Sequence, residues 1–169
     1  REEAGKIMVG YFEPVAKPWG MDGIPESFCF DDIQADWDRL LPVVEKAMRR
    51  VPTLMDHGIK LFFCGPESFT PDHNYLMGPA PNLKNFFVAA GMNSLGILSG
   101  GGVGMVMSRW ITEGQAPDDM WSVDLRRTHA WQDNDRYLQD RMVESLGIGY
   151  QDHWPFRQWT TARNVRKSV

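Results

Sequence analysis

Glycine is concentrated in one short stretch of this chain, and that stretch leads directly into an apolar segment. Residues 91–104 read GMNSLGILSGGGVG and are followed by MVMSRWI. Glycine loses more conformational freedom on folding than any other residue, so such a cluster indicates a turn or a close backbone approach. We predict a strand over residues 85–89, a glycine-rich loop, and a helix that begins near Gly100 and ends near Thr112, before Gly114.

The glycine stretch does not fit either common nucleotide-binding pattern. It contains no G-x-G-x-x-G, and the G-K-[ST] ending of a phosphate-binding loop is missing. A helix that begins after flexible glycines presents unpartnered N–H groups and the positive end of its dipole. That end suits the negative charge around N1 and the C2 carbonyl of a reduced flavin. Close packing of the helix on a sheet explains the glycines equally well, and the residues alone leave both interpretations open.

Composition sets the outer limits for the rest of the chain. With 169 residues, of which 43% are hydrophobic, the sequence is long enough for one domain, or one domain with an extension. A net charge of −4 argues against a nucleic-acid surface. Two cysteines fit a reducing compartment, and no segment has the pattern of a membrane span or a signal peptide. We therefore expect neither a nucleic-acid partner nor a membrane partner.

Periodicity predicts a mixture of helices and strands. A helix is predicted with Asp36 or Asp38 as its cap, with Pro42 near its first turn, and with Pro52 at its end. A second helix covers about 136–146. Short strands are predicted at residues 6–12, 59–64, 75–77 and 85–89. The chain after residue 150 shows no clear period, so an irregular C-terminal arm is expected.

Several long segments together resemble the dimethylglycine and sarcosine dehydrogenase family. Residues 65–127, GPESFTPDHNYLMG through to WSVDLRR, resemble the last part of that family's flavin-dependent oxidoreductase module. GYFEPVAKPWG and DWDRLLPVVEKAMRRVP, at 10–20 and 36–52, resemble its substrate-domain segment. Residues 137–168 resemble the connector into its folate-binding half. The resemblance covers nearly the whole chain.

The resemblance implies a fold and a domain organisation. We expect an α+β slice of a two-domain FAD-dependent, D-amino-acid oxidase-like α/β oxidoreductase, with a mixed sheet, helices and an irregular C-terminal arm. Residues 1–65 would belong to the substrate-binding domain, 66–115 to the C-terminal part of the FAD-binding domain, and 116–169 to a connector. The family's N-terminal nucleotide-binding motif and its C-terminal folate-binding domain would lie outside this chain.

The resemblance also assigns a cofactor loop. FAD would lie against Ser94, Leu95, Gly96, Ile97, Leu98, Ser99, Gly100 and Gly101. The helix that starts at Gly100 to Gly102 would direct its N–H groups at N1 and the C2 carbonyl. In the more distant monomeric sarcosine oxidases a lysine at this place contacts the substrate carboxylate, whereas here Leu98 stands there. The resemblance identifies no catalytic residue and no metal ligand in this chain.

The implied activity is oxidative demethylation of a secondary or tertiary amine, of the sarcosine or dimethylglycine type, by hydride transfer to FAD. Tetrahydrofolate would bind the absent C-terminal domain, and an electron-transfer flavoprotein is a candidate partner. The expected location is the bacterial cytoplasm or the mitochondrial matrix. The alternative is a non-catalytic relative, resembling the regulatory subunit of pyruvate dehydrogenase phosphatase.

The remaining candidate residues have structural interpretations. The four histidines show no metal-binding spacing, and His73 in the TPDH turn is expected at the surface. Cys64 is expected to be a buried small hydrophobe. Tyr11 and Trp19 either line an amine pocket or pack in the core. Surface ion pairs are expected among Asp118, Asp119, Asp124, Arg126 and Arg127, and Pro66 with residues 70–72 is expected to form a turn.

Overall fold

The computed structural model describes residues 1–150, and the irregular C-terminal arm predicted from the sequence lies outside them. In the described part, three α-helices are α1 (Trp37–Arg50), α2 (Gly96–Glu113) and α3 (Asp135–Tyr150). The strands are β1 (Glu2–Glu3), β2 (Lys6–Ile7), β3 (Leu76–Pro79) and β4 (Phe87–Ala90). Short 3₁₀ turns cover Pro52–Asp56, Leu125–Arg127 and Ala130–Gln132. The α+β organisation is as predicted.

The chain divides into two compact units. Unit 1 consists of residues 1–12 and 23–66, and unit 2 consists of residues 13–22 and the chain from Glu67 onward. The assignment of residues 1–65, 66–115 and 116–169 to domains of a larger flavoprotein stays a prediction.

Unit 1 is built around helix α1. Its N-terminus is where the sequence predicts it, because Asp36 caps the helix by accepting a hydrogen bond of 3.2 Å from the Arg39 N–H. Pro42 lies inside the helix. Leu40 is the buried hydrophobic residue of this unit, and Trp37 packs edge-on against Phe62 with ring centroids 4.7 Å apart.

Two predicted strands of unit 1 are wrong in extent or absent. The strand at 6–12 is limited to Lys6–Ile7, which pairs with Glu2–Glu3 in antiparallel fashion. No strand forms at 59–64 in the described chain, where Leu61 and Phe63 are 74% and 58% exposed. An apolar run becomes a strand only when a neighbouring strand accepts its backbone hydrogen bonds, and sequence alone does not reveal that partner.

Unit 2 contains the main hydrophobic core. Strands β3 and β4 form an antiparallel hairpin, and the Met77 N–H donates to the Val123 carbonyl at 2.8 Å in a short parallel bridge. Met77, Met107 and Trp110 are buried together under this hairpin. Gly78 has φ of +107°, and a Cβ there would lie 2.8 Å from the Trp110 ring, so only glycine fits.

Helix α3 packs against residues 13–22, which also belong to unit 2. The Ala16 N–H donates a hydrogen bond of 2.8 Å to the Val143 carbonyl, and the backbone of Pro14 lies against Gly147. Helix α2 ends as predicted at Gly114, whose φ of +74° provides the left-handed cap.

Candidate functional site

The loop before helix α2 differs from the predicted one in where the helix begins. Helix α2 starts at Gly96, not near Gly100. The chain reversal is made earlier, by Gly91, Asn93 and Ser94, whose φ angles are +65°, +49° and +69°. A Cβ on Gly91 would also lie 2.5 Å from the Thr70 methyl group. The sequence interpretation took residues 91–99 as a glycine-rich loop, but Gly91, Asn93 and Ser94 complete the chain reversal before Gly96.

Because α2 begins at Gly96 and not near Gly100, the backbone N–H groups without a partner in the helix are not the ones predicted. Gly100, Gly101 and Gly102 lie inside the helix, where their N–H groups bond to carbonyls four residues earlier. The first-turn amides, those of residues 96–98, have no partner within the helix. No side chain caps this end, and no acidic residue lies in the first turn. The open, electropositive end of α2 is therefore at Gly96.

The side chains around this end are exposed. Ile97 is fully exposed and Leu98 is 83% exposed. A Cβ built on any of Gly100, Gly101, Gly102 and Gly104 meets no described atom within 4 Å other than its chain neighbours and the backbone of its own helix. The close packing of these glycines on a sheet, which the sequence left open, does not occur among residues 1–150.

We define residues 94–99 as the candidate flavin loop, and two hydrogen-bond groups hold it to residues 70–75. The Asn93 Oδ1 accepts from the Thr70 N–H at 2.8 Å, and the Asn93 Nδ2 donates to the Gly91 carbonyl at 2.8 Å. The Tyr75 hydroxyl donates to the Ser99 Oγ at 3.0 Å, and that Oγ donates to the Leu95 carbonyl at 2.6 Å. Residues 70–75 therefore brace both ends of the loop.

The turn at residues 70–73, predicted from the sequence, is itself held by helix α3. The Ser145 Oγ donates to the Thr70 carbonyl at 2.7 Å, and the Arg141 Nε donates to the Pro71 carbonyl at 2.9 Å. Both side chains are fully buried. Arg141 also pairs with Glu144. Burial lowers the pKa of Arg141, and the negative charge of Asp72 opposes that effect.

An ion pair adds a third support to this turn. Arg127 donates to both carboxylate oxygens of Asp72, at 2.8 and 2.9 Å, and to the Asn74 carbonyl. Burial would raise the pKa of Asp72, but the hydrogen bonds and charge of Arg127 outweigh it and lower that pKa below 3.8. The expectation that Arg127 forms a surface pair within the connector is wrong, because its side chain reaches a distant turn and is only 15% exposed.

The pair between Asp124 and Arg126 does lie near the surface. The Arg126 Nη2 is 2.6 Å from the Asp124 Oδ2, and the Arg126 side chain is 58% exposed. Hydrogen bonds from Arg126 lower the pKa of Asp124. Asp119 accepts from the Trp121 backbone N–H at 3.5 Å.

His73 is half-buried, which corrects the prediction of a surface position. It has φ of +59°, and this turn folds its ring against Phe69, with centroids 5.7 Å apart. Its Nδ1 is buried and has no hydrogen-bond partner in the described chain. Burial lowers the pKa of His73, against the opposing effects of the Ser145 carbonyl and the Asp72 charge.

The other sequence candidates are described by their burial. Cys64 is half-buried, and Tyr11 and Trp19 are half-buried in different units. Residues 1–150 contain no group of three or more His, Cys, Asp or Glu side chains placed to hold a metal ion. Within the same range, no helix is both long and apolar enough to cross a membrane.

Sequence reasoning missed the buried polar residues Thr70, Asn93, Arg141 and Ser145. The sequence contained one signal for Asn93 and another for the pair of Arg141 and Ser145. An asparagine two residues after a glycine favours a left-handed turn, and Arg141 and Ser145 are four residues apart on one helical face.

Two sequence families cover this chain. The family described as FAD dependent oxidoreductase matches residues 1–110, and the FAD dependent oxidoreductase central domain matches residues 113–168.

Individual relatives align over the whole chain. A 4-methylaminobutanoate oxidase (formaldehyde-forming) of Paenarthrobacter nicotinovorans is 40% identical over 99% of this chain and 20% of its own length. The mitochondrial sarcosine dehydrogenase of Mus musculus is 39% identical over 99% of this chain and 18% of its own. The mitochondrial pyruvate dehydrogenase phosphatase regulatory subunit of the same organism is 35% identical over 99% and 19%. The chain spans about a fifth of the length of these curated relatives.

Proposed function

We propose that this chain, which belongs to the FAD dependent oxidoreductase family, is part of an enzyme that oxidatively demethylates a small secondary or tertiary amine. The observation that carries the proposal is the open first turn of α2, with no capping side chain and no carboxylate, in a chain whose relatives include a sarcosine dehydrogenase and a methylaminobutanoate oxidase. Bound FAD would supply the acceptor for the hydride that leaves the carbon next to the amine nitrogen.

The residues of the candidate flavin loop fit a flavin. Their first-turn amides, at Gly96, Ile97 and Leu98, carry the partial positive charge of the helix N-terminus. Negative charge that develops beside them is stabilised, because donors already in position need no rearrangement during the reaction. The exposed side chains of Ile97 and Leu98 provide apolar surface that would exclude water from the cofactor.

Leu98 bears on substrate choice. A leucine offers no charge to a substrate carboxylate, so this position would not bind the carboxylate directly. We propose that carboxylate recognition comes from residues outside the candidate flavin loop. Unit 1, which contains most of residues 1–65, is the proposed source of substrate-domain residues.

The finer features of the proposal rest on the family resemblance. They are an electron-transfer flavoprotein as electron acceptor, tetrahydrofolate bound in a domain outside this chain, and a location in the bacterial cytoplasm or the mitochondrial matrix. Comparing flavin reoxidation by oxygen with reoxidation by an electron-transfer flavoprotein tests the acceptor.

A second candidate is a regulatory protein without amine oxidation. The relative that supports it is the phosphatase regulatory subunit, which aligns over 99% of this chain at 35% identity. The complete protein containing this chain would then show no flavin reduction by any methylated amine.

The test is anaerobic mixing of the complete protein with sarcosine, dimethylglycine or 4-methylaminobutanoate, followed by flavin absorbance and formaldehyde release. Gly96→Ala tests the loop itself, because the added Cβ would only touch the Met92 side chain at 3.5 Å. We expect flavin reduction to slow about 10²-fold, the cost of a misplacement near 1 Å, with the melting temperature unchanged. Ser108→Ala, on an exposed part of the same helix, is the control. Reduction of Gly96→Ala at the unaltered rate would contradict the assigned loop.

A further inference from the structure

We infer that Asn93 is a positioning residue that sets the location of the candidate flavin loop. This inference rests on the proposed function, since it assigns a role towards the flavin. Asn93 is only 2% exposed and lies directly before the loop, three residues ahead of the first residue of α2.

The Asn93 side chain joins two parts of unit 2 that are distant in sequence. Its Oδ1 accepts a hydrogen bond of 2.8 Å from the Thr70 backbone N–H, and its Nδ2 donates one of 2.8 Å to the Gly91 carbonyl. The Thr70 hydroxyl is 2.8 Å from the Asn74 carbonyl and 3.2 Å from the Asn93 Oδ1, and its single hydrogen serves one acceptor at a time. Both ends of the amide are therefore used.

Residue type matters here because the two bonds need opposite functions. An aspartate would accept from Thr70 but would not donate to Gly91, and it would place a buried negative charge where no cation contacts Asn93 among the described contacts. An asparagine also tolerates the left-handed φ of +49° at this position better than most residues.

The partner of Asn93 is fixed independently of the loop. Ser145 donates to the Thr70 carbonyl at 2.7 Å, and Arg141 donates to the Pro71 carbonyl at 2.9 Å. The turn at residues 70–73 is thus attached to α3. Asn93 bonds to this turn through the Thr70 N–H, and so connects the start of the loop to α3. Without Asn93, the Tyr75 to Ser99 hydrogen bond holds only the far end of the loop.

Ser145 provides the matched control. Its side chain is fully buried and donates a hydrogen bond to the same residue, Thr70, and the described contacts include no hydrogen bond from it to residues 91–99. A merely structural role for Asn93 predicts that Asn93→Gly and Ser145→Ala act alike. Glycine is the chosen replacement because it accepts the left-handed φ, so the side-chain bonds are removed without backbone strain.

The experiment measures hydrogen exchange and the flavin midpoint potential in the complete protein. In Asn93→Gly we expect amide exchange over residues 92–98 to rise about tenfold. We expect the reduced flavin to be destabilised tenfold, which is about 30 mV for two electrons. Ser145→Ala should lower the melting temperature but change both quantities much less than Asn93→Gly does, because Arg141 still holds the turn through the Pro71 carbonyl.

Gly96→Ala separates this inference from the proposed function. If Gly96→Ala shifts the potential while Asn93→Gly behaves like Ser145→Ala, Asn93 is not a positioning residue and the proposed loop stands. If neither Gly96→Ala nor Asn93→Gly shifts the potential, the loop does not contact flavin, and both the assigned loop and the role of Asn93 are overturned. The proposed amine oxidation is decided separately, by flavin reduction with the methylated amines.

Discussion

The two halves of helix α2 differ sharply, although they belong to one continuous element. In the C-terminal half, Met107 and Trp110 are 7% and 2% exposed under the β3–β4 hairpin. In the N-terminal half, Ile97 and Leu98 are almost fully exposed, and a Cβ on Gly101 would touch no described atom. One half is fixed by its own core, and the other is held in place but left uncovered.

This difference separates anchoring from contact. The packed half supplies the stability that sets the direction of the helix axis. The open half continues along the same axis but does not pack in the core, so its side chains are available to contact another surface. Glycine and exposed apolar residues in the open half are costly for an isolated chain, and this cost agrees with the proposal that residues 94–99 contact a cofactor.

The packed half should account for most of the stability of unit 2. Trp110→Ala removes the largest buried side chain and leaves a cavity beside Gly78, so we expect a loss of about 3–5 kcal/mol in the free energy of unfolding. Urea unfolding of this chain measures the loss. A loss below about 1 kcal/mol would mean that the two halves of α2 do not differ in packing.

The Asp72–Arg127 ion pair, which supports the turn at residues 70–73, should make an intermediate and pH-dependent contribution to the free energy of unfolding. Asp72→Asn removes the charge that Arg127 binds, and we expect a loss of about 2 kcal/mol at pH 7. Because the pKa of Asp72 is lowered in the folded state, its stabilisation is complete above pH 3.8 and disappears as the pH falls through the lowered value.

Stability measured against pH checks this sign. The difference between the original chain and Asp72→Asn should narrow below pH 3.8. Asp124→Asn, in the more exposed pair with Arg126, is the comparison variant and should cost less. If the two variants lose equal free energy of unfolding, the Asp72–Arg127 pair stabilises the turn no more than the exposed pair stabilises its own segment.

The glycines of the open half give a smaller effect of opposite sign. Gly101→Ala should stabilise this chain by about 0.5–1 kcal/mol, because alanine has the higher helix propensity and the space is open. Thermal melts of the chain test this. A destabilised variant would indicate that Gly101 is packed, and the contrast between the halves would fail.

The smallest effect is expected at the exposed end of the helix. Leu98→Ser should change the free energy of unfolding by less than about 0.5 kcal/mol, since an exposed side chain makes few contacts. It should also reduce binding of a hydrophobic dye to the chain. A cost comparable to that of Trp110→Ala would place Leu98 in a core.

The sequence predicted the parts of the fold that depend on local signals. Asp36 as a helix cap, Gly114 as a helix end and the helical period of α3 are all properties of a few neighbouring residues, and all three predictions are confirmed. The FAD dependent oxidoreductase family is confirmed as well, because the resemblance extends over the whole chain.

Features that depend on distant partners were not predicted. The start of α2 moved to Gly96 because Asn93 and Ser94 complete the turn, supported by Thr70 from another part of the sequence. His73 was expected at the surface, but its left-handed φ turns the ring inward. Arg127 forms its ion pair with Asp72, in a distant turn, and not with an acidic residue of its own connector. Periodicity carries no information about such long-range hydrogen bonds.

The attachment of residues 13–22 to α3 has a consequence for the order of assembly during synthesis. The Ala16 to Val143 hydrogen bond joins two positions separated by most of the chain. Residues 13–22 leave the ribosome well before α3, yet this bond forms only after α3 has been translated. Contacts of such long sequence separation slow folding, so unit 2 reaches its final form after translation has passed α3 and not while residues 13–22 emerge.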